Sequence, residues 1–125
     1  MRGERLRQTL RLYMNYVHHN NKAPYGETHT IITEDASAYV MITIFSEREH
    51  IAAIHDLAVL KERRGEGLGS AILEEAILEA ERMGAKVAVI ECEKNSWLEE
   101  WYTRHGFETI EHEDVNGQTA MKRIL

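Results

Sequence analysis

Residues 56–70 read DLAVLKERRGEGLGS, a run that passes from a short apolar strand pattern through basic and glycine-rich chain into a long amphipathic helix reaching Met83. A connection of this kind is suited to hold a pyrophosphate. Gly65, Gly67 and Gly69 let the backbone approach a bulky anion without Cβ interference, and the helix that follows turns its first unbonded N–H groups and the positive end of its dipole toward that anion. Lys61, Arg63 and Arg64 add positive charge beside it. The spacing excludes the common nucleotide loops. No Lys-Ser or Lys-Thr follows the glycines, as a G-x-x-x-x-G-K-[ST] loop requires, and the third glycine comes one residue early for G-x-G-x-x-G. What remains is R-x-x-G-x-G, carried by Arg64, Gly67 and Gly69, with a plain tight turn as the bland alternative.

Upstream, Glu4 to His19 reads as a helix, because Leu6, Leu10, Tyr13, Met14 and Val17 recur at three- and four-residue spacing. His18 and His19 then fall in its last turn, and Asn20 to Gly26, with the only proline, Pro24, reads as a connection. Thr28–Thr33, Ala38–Phe45 and His50–Val59 are rich in β-branched and aromatic residues and predict three consecutive antiparallel strands.

Downstream, Leu68, Ile72, Ala76, Ala80 and Met83 form the stripe of the central helix, which stops near Gly84. Lys86–Glu93 is a short apolar run expected to lie as a buried strand parallel to its predecessor. A second helix starts at Asn95 or Ser96, places Trp97, Leu98, Trp101 and Tyr102 on its apolar side, and ends at Gly106. Phe107–Glu113 and Gln118–Leu125 close a hairpin around Asn116-Gly117. The order is α-βββ-α-β-α-ββ, a mixed α/β (α+β) domain over residues 1–125, with 1–27 as helix and connection and 28–125 as core.

Composition narrows the function classes. With 125 residues and 43% hydrophobic content the chain can bury one core. A single cysteine, Cys92, allows no internal disulfide framework, and the absence of a long apolar run predicts neither a membrane span nor a signal peptide, so a cytoplasmic location is expected. Net charge is −6, yet residues 1–23 carry Arg2, Arg5, Arg7, Arg11 and Lys22 against Glu4 alone, which leaves a strongly acidic remainder. Nucleic acid is disfavoured as a partner, and the histidines show no metal-ligand spacing.

The R-x-x-G-x-G loop after Leu-Ala-Val resembles the coenzyme A loop of the GNAT N-acetyltransferase superfamily. A second motif agrees: Asn95 lies seven residues before Tyr102, and Gly106-Phe107 follow after three more. The similarity runs from about Thr28 to Leu125 and implies a GNAT-like mixed sheet. It implies acetyl-CoA as cosubstrate, lying where the strands ending at Val59 and Glu93 splay apart. By the same resemblance the backbone of Leu57 and Val59 would pair with the pantetheine arm. Amides from Arg64, Gly65, Gly67, Leu68, Gly69 and Ser70 would hold the pyrophosphate, Asn95 would contact the cofactor arm, and Tyr102 would stand beside the thioether sulfur as the acid for the departing thiolate.

A backbone N–H near Val59 is the family-like donor to the oxyanion. For the base, the strand Ile-His-x-Leu-Ala-Val is similar to that of arylalkylamine acetyltransferases, whose second active-site histidine matches His55. Their first histidine, and the glutamate of histone-type members, match Ala53, which is no base. An imidazole titrates near neutral pH and suits the task, Glu91 and Glu93 on the adjoining strand compete through water, and a hydrogen-bonded structural histidine is the alternative. Family members begin with a strand and further helix that about 27 residues leave no room for here. The expected consequence is an open acceptor cleft suited to a peptide or protein amine, or a cleft completed by a second copy in a homodimer. The acceptor, small amine or protein, is not specified by local pattern. A CoA-binding module without catalysis is the second reading, and a nucleotide-binding domain a third.

Overall fold

The computed structural model describes residues 15–110 and 115–125. Seven strands form one sheet in the order β1-β2-β3-β4-β5-β7-β6. They are β1 (Tyr16–Ala23), β2 (Gly26–Thr33), β3 (Ala38–Phe45), β4 (Ile51–Val59), β5 (Val87–Glu93), β6 (Glu108–Thr109) and β7 (Gln118–Ile124). Helix α1 (Leu68–Arg82) joins β4 to β5 and α2 (Trp97–Arg104) follows β5. Among the described residues only β4 and β5 run parallel, since the crossover through α1 permits it, and every other strand pairing is antiparallel. Among the described residues no helix is long and apolar enough to cross a membrane.

The core lies on one face of the sheet. Along β2 and β3 the alternation puts Ile31, Val40, Ile42 and Ile44 inward, and α1 meets them with Leu68, Ile72, Leu73, Ala76, Ile77 and Ala80, all buried. Each fully buried Leu or Ile contributes about 1.5–3 kcal/mol relative to exposure. Small residues at Ala76 and Ala80 of α1 and Ala52 and Ala88 of the sheet fill the same cluster. His29 is buried on this face, its ring nitrogens 3.2 and 3.5 Å from carboxylate oxygens of Glu27 and Glu79 but not aligned for hydrogen bonds.

The start of the chain departs from the sequence reading. The helix expected over Glu4–His19 falls mostly outside the described residues, and its last residues, His18 and His19, lie in β1. The expected connection Asn20–Gly26 is strand through Ala23, followed by a turn at Pro24-Tyr25. A strand therefore does precede the Thr28 hairpin, contrary to the expectation that the first strand is lacking. Eight register pairs with β2 hold β1 in place, whereas its side chains from Val17 to Lys22 are exposed on both faces, so the strand carries no apolar alternation to read. Pairing overrode propensity here. The last hairpin is also shorter than the expected Phe107–Glu113: β6 is two residues, Val115 bridges to Gln118, and 111–114 lie outside the described residues.

Candidate functional site

Helix α1 begins without a side-chain cap. Its N-cap is Gly67 at φ 84°, a left-handed conformation that favours glycine, and the first turn carries no acidic residue. The amide of Ala71 is the first to bond back, to the Gly67 carbonyl at 3.0 Å, so those of Leu68, Gly69 and Ser70 have no intrahelical acceptor. Gly69 has a different reason to be glycine. A Cβ there would lie 3.5 Å from the Trp101 ring and 3.7 Å from Val59, which seats the helix start against β4 and α2. Of the three bases nearby, Arg63 is held by Asp35 at 2.7 Å and Glu66 at 3.0 Å, and Arg64 donates from Nε to the Val59 carbonyl at 3.3 Å. The Ser37 hydroxyl and then Arg63 hold the Asp35 carboxyl well below the usual carboxylate range.

Strands β4 and β5 separate early. Their ladder runs from Ile51↔Val87 to Ala53↔Val89 and ends there, although β4 continues to Val59 and β5 to Glu93. Beyond Ala53 the edge of β4 that faces β5 has no partner strand among the described residues, an opening that an extended amide-bearing ligand could enter by adding to the sheet. The cause is a bulge. Between the pairs Met41↔His55 and Tyr39↔Ala58, β3 advances two residues and β4 three, with Asp56 at φ 56°. The extra residue reverses the alternation, so His55 turns away from the core whereas Leu57 and Val59 pack against it.

The two faces of this opening differ. Tyr102 lies on the core side, 7% exposed, its ring 5.6 Å from Phe107 and 5.1 Å from Trp101. Burial pushes its phenol up to about 12. On the outer face stand His55, Glu91 and Glu93, all exposed. They belong together because Ala53 and Val89 are register partners on that face and each strand returns to it after two residues. His55 Nε2 lies 2.8 Å from Thr43 Oγ1 and its Nδ1 lies 3.5 Å from Asp56. A shallow cleft of about 630 Å³ extends from His55 across Ala53, Thr43, Thr28 and Met41 to Tyr25, Phe45 and Asn21. Asn21 belongs to β1 and Tyr25 to the turn after it, so the unexpected strand walls the cleft. The first strand, whose expected lack suggested a second copy, is thus present.

Asn95 is exposed at φ 60°, with its N–H donating to Glu99 at 2.6 Å. Ser96, not Asn95, is the N-cap of α2, accepting from the Glu99 amide at 3.4 Å. Trp97, expected on the apolar side, is 68% exposed at the first position of α2, whose only buried residue is Tyr102. Cys92 is buried opposite Glu91 and Glu93, and burial raises its thiol, which leaves it a poor nucleophile. Among the described residues no group of three His, Cys, Asp or Glu side chains could hold a metal.

Residues 25–109 match the family model described as an acetyltransferase (GNAT) domain. The chain belongs to the GNAT acetyltransferase family. It is thus an acyltransferase, with acetyl-CoA as cosubstrate. Solved structures agree in fold. An acyl-CoA N-acyltransferase from Pseudomonas aeruginosa is 24% identical, with TM-score 0.65 over 77% of this chain and 67% of that one. A GNAT acetyltransferase from Elizabethkingia anophelis with acetyl-CoA bound is 16% identical, with TM-score 0.65 over 89% and 99%. The PaiA N-acetyltransferase of Thermoplasma acidophilum in complex with coenzyme A is 15% identical, with TM-score 0.65 over 78% of this chain and 60% of that one. No curated protein matches.

Sequence reasoning on this GNAT domain passed over Thr43 and Asp56. An aspartate inside a strand pattern was the available cue to the bulge, since strands are depleted in that residue. Nothing local marked Thr43, whose role depends on register between β3 and β4.

Proposed function

We propose that this GNAT domain moves an acetyl group from acetyl-CoA to a primary amine by direct attack in a ternary complex, with the amine entering from the outer face of the sheet. The observation that carries the reading is the early end of the β4–β5 ladder at Ala53↔Val89, beside a helix start with unbonded amides. The amides of Leu68, Gly69 and Ser70 hold the pyrophosphate, assisted by the loop from Arg64 through Gly67. Leu57 and Val59 present their backbone to the pantetheine arm, and Asn95 reaches it from the turn after β5. Bound there, acetyl-CoA supplies the acyl thioester to the opening between the two faces.

The chain's own groups then divide the proton work. His55 takes a proton from the acceptor's ammonium group, with Glu91 and Glu93 alongside to attract the cation. A backbone N–H near Val59 donates to the carbonyl oxygen as it gains charge. As the C–S bond breaks, Tyr102, kept protonated by burial, donates to the departing thiolate from the core side and regains its proton from the one the nitrogen still sheds as the amide forms. His55 and Tyr102 lie on opposite faces, and the unpaired gap is where one bound group can meet both.

The test is release of free thiol from acetyl-CoA, with mass spectrometry of products, over a panel of spermidine, tyramine, kanamycin and peptides bearing a free N-terminus or lysine. Acetylated amine from one class is expected, and His55→Gln should lower that rate by about 10²-fold or more. Tight acetyl-CoA binding with no product from any amine, peptide or cell lysate would favour the binding-module reading, which Ala53 in the cleft floor supports. Absence of CoA binding would remove both.

Pyrophosphate recognition has a separate prediction. Gly65 has φ 85°, and a Cβ there would meet nothing within 4 Å, so asparagine and aspartate, which tolerate this conformation, should both fit. They differ only in charge. Gly65→Asp is expected to bind CoA about fivefold more weakly than Gly65→Asn, from about 1 kcal/mol of like-charge repulsion across a solvated gap, with the difference fading in high salt. Equal calorimetric affinities would place the diphosphate elsewhere.

A further inference from the structure

Thr43 is a buried threonine at 4% exposure whose single hydroxyl stands between two partners. Its Oγ1 lies 2.9 Å from Thr28 Oγ1 and 2.8 Å from His55 Nε2. Thr43 has one proton to give, so the arrangements divide by which way the Nε2 contact runs. In the first, Thr28 donates to Thr43 and Thr43 donates to His55 Nε2. That occupies the imidazole's only lone pair and leaves an N–H at Nδ1. In the second, His55 donates from Nε2 to Thr43 and Thr43 donates to Thr28. The Nδ1 lone pair is then free.

Resting on the reading of His55 as base, we propose that Thr43 is its positioning residue: backed by Thr28, it accepts from Nε2–H and holds the imidazole as the tautomer with a bare Nδ1, where the acceptor's ammonium gives up its proton. The base reading requires this arrangement, because in the other one Thr43 occupies the Nε2 lone pair and Nδ1 carries the proton, so neither nitrogen can accept. Asp56, 3.5 Å from Nδ1, is too far for the good N–H···O bond that would fix the opposite tautomer, and its charge draws an incoming cationic amine to the lone pair.

In the step itself the ammonium N–H bond breaks, its electron pair stays on nitrogen for the attack, and the proton bonds to Nδ1. The imidazolium that forms donates to Thr43 from Nε2 and lies against Asp56. After acetyl transfer the proton leaves from Nδ1 to solvent, since the His55 side chain is 42% exposed. Charged groups facing the ring are Asp56 on β4 and Glu91 and Glu93 across the gap on β5. On β3 the ring bonds Thr43 and has Met41 as register partner, Thr28, Thr30 and Tyr39 lie on the same face of β2 and β3, and His19 of β1 lies three strands away in the same row.

The experiment is long-range ¹H–¹⁵N correlation of the histidine rings in the free protein. Protonated Nε2 and bare Nδ1 at His55 are expected at alkaline pH, and the reverse tautomer overturns the proposal. Thr43→Val removes the acceptor for Nε2–H, which favours the neutral ring, so the His55 titration and the acidic limb of kcat/KM should move to lower pH. Turnover should fall by less than the roughly 10²–10⁴-fold that loss of a base costs. Thr43→Ser should restore both. If Thr43→Val leaves the titration and tautomer unchanged while His55→Gln still abolishes transfer to the panel amine turned over fastest, the inference about Thr43 fails alone. If His55→Gln transfers at the wild-type rate, the base reading fails first.

Discussion

Tyr102→Phe is expected to lower turnover by about 10²-fold, at the lower end of what a positioned acid supplies, with acetyl-CoA affinity held within about twofold. The substitution keeps the ring that meets Phe107 and Trp101 edge-on and deletes the hydroxyl alone, so packing should survive. The direction of the pKa shift bears on the assignment. With the phenol pushed up to about 12, Tyr102 is a donor throughout the neutral range, and any fall in rate between pH 7 and 10 belongs to another group. The same shift has a stability signature. A group whose folded pKa is raised contributes stability fully present below its unfolded value near 10, and that contribution disappears as pH climbs through about 12. Thermal melts of the phenylalanine variant should therefore lose less between these limits than those of the wild type. Unchanged kcat would remove Tyr102 from the acid role whatever the melts show.

Gly26→Ala should destabilise the domain by at least about 3 kcal/mol, near the upper end of what overpacking costs, because the collision is with backbone. A Cβ at Gly26 would lie 2.4 Å from the Ile44 carbonyl oxygen and 2.9 Å from Phe45 Cα. No rotamer relieves that contact. Either β2 withdraws from β3 at this end, or the hairpin that carries Asn21 and Tyr25 shifts, and the cleft opens with it. Urea unfolding reads the first effect. Gly117→Ala is the control, since that Cβ meets nothing within 4 Å and only the left-handed φ of 77° is at issue, worth about 1 kcal/mol. Equal midpoints for Gly26→Ala and wild type would mean that the two strands do not approach as described.

The pattern of success and failure along the chain has a physical cause. The glycine loop, the stripe of α1 and the Asn-Gly turn were readable because each is set by neighbours within a few residues: backbone conformations open chiefly to glycine or asparagine, and a period of 3.6 on one buried face. The family motifs are of the same kind, since Asn95, Tyr102 and Gly106-Phe107 span one helix and its ends. Strand β1 was missed because an edge exposed on both faces from Val17 to Lys22 has no periodicity, and its middle, His18 to Asn21, is held by hydrogen bonds to β2 rather than by side-chain burial.

By itself, then, the sequence determined that a strand, a glycine-rich turn and an amphipathic helix meet in the order a CoA-binding loop requires, because those features depend on local backbone freedom and local burial. Tertiary structure alone decided where β4 parts from β5, which way the Asp56 bulge turns His55, and that Thr43 lies beneath it. Register between strands distant in sequence settles such contacts. A one-residue offset reverses every side chain, and no local pattern records that count.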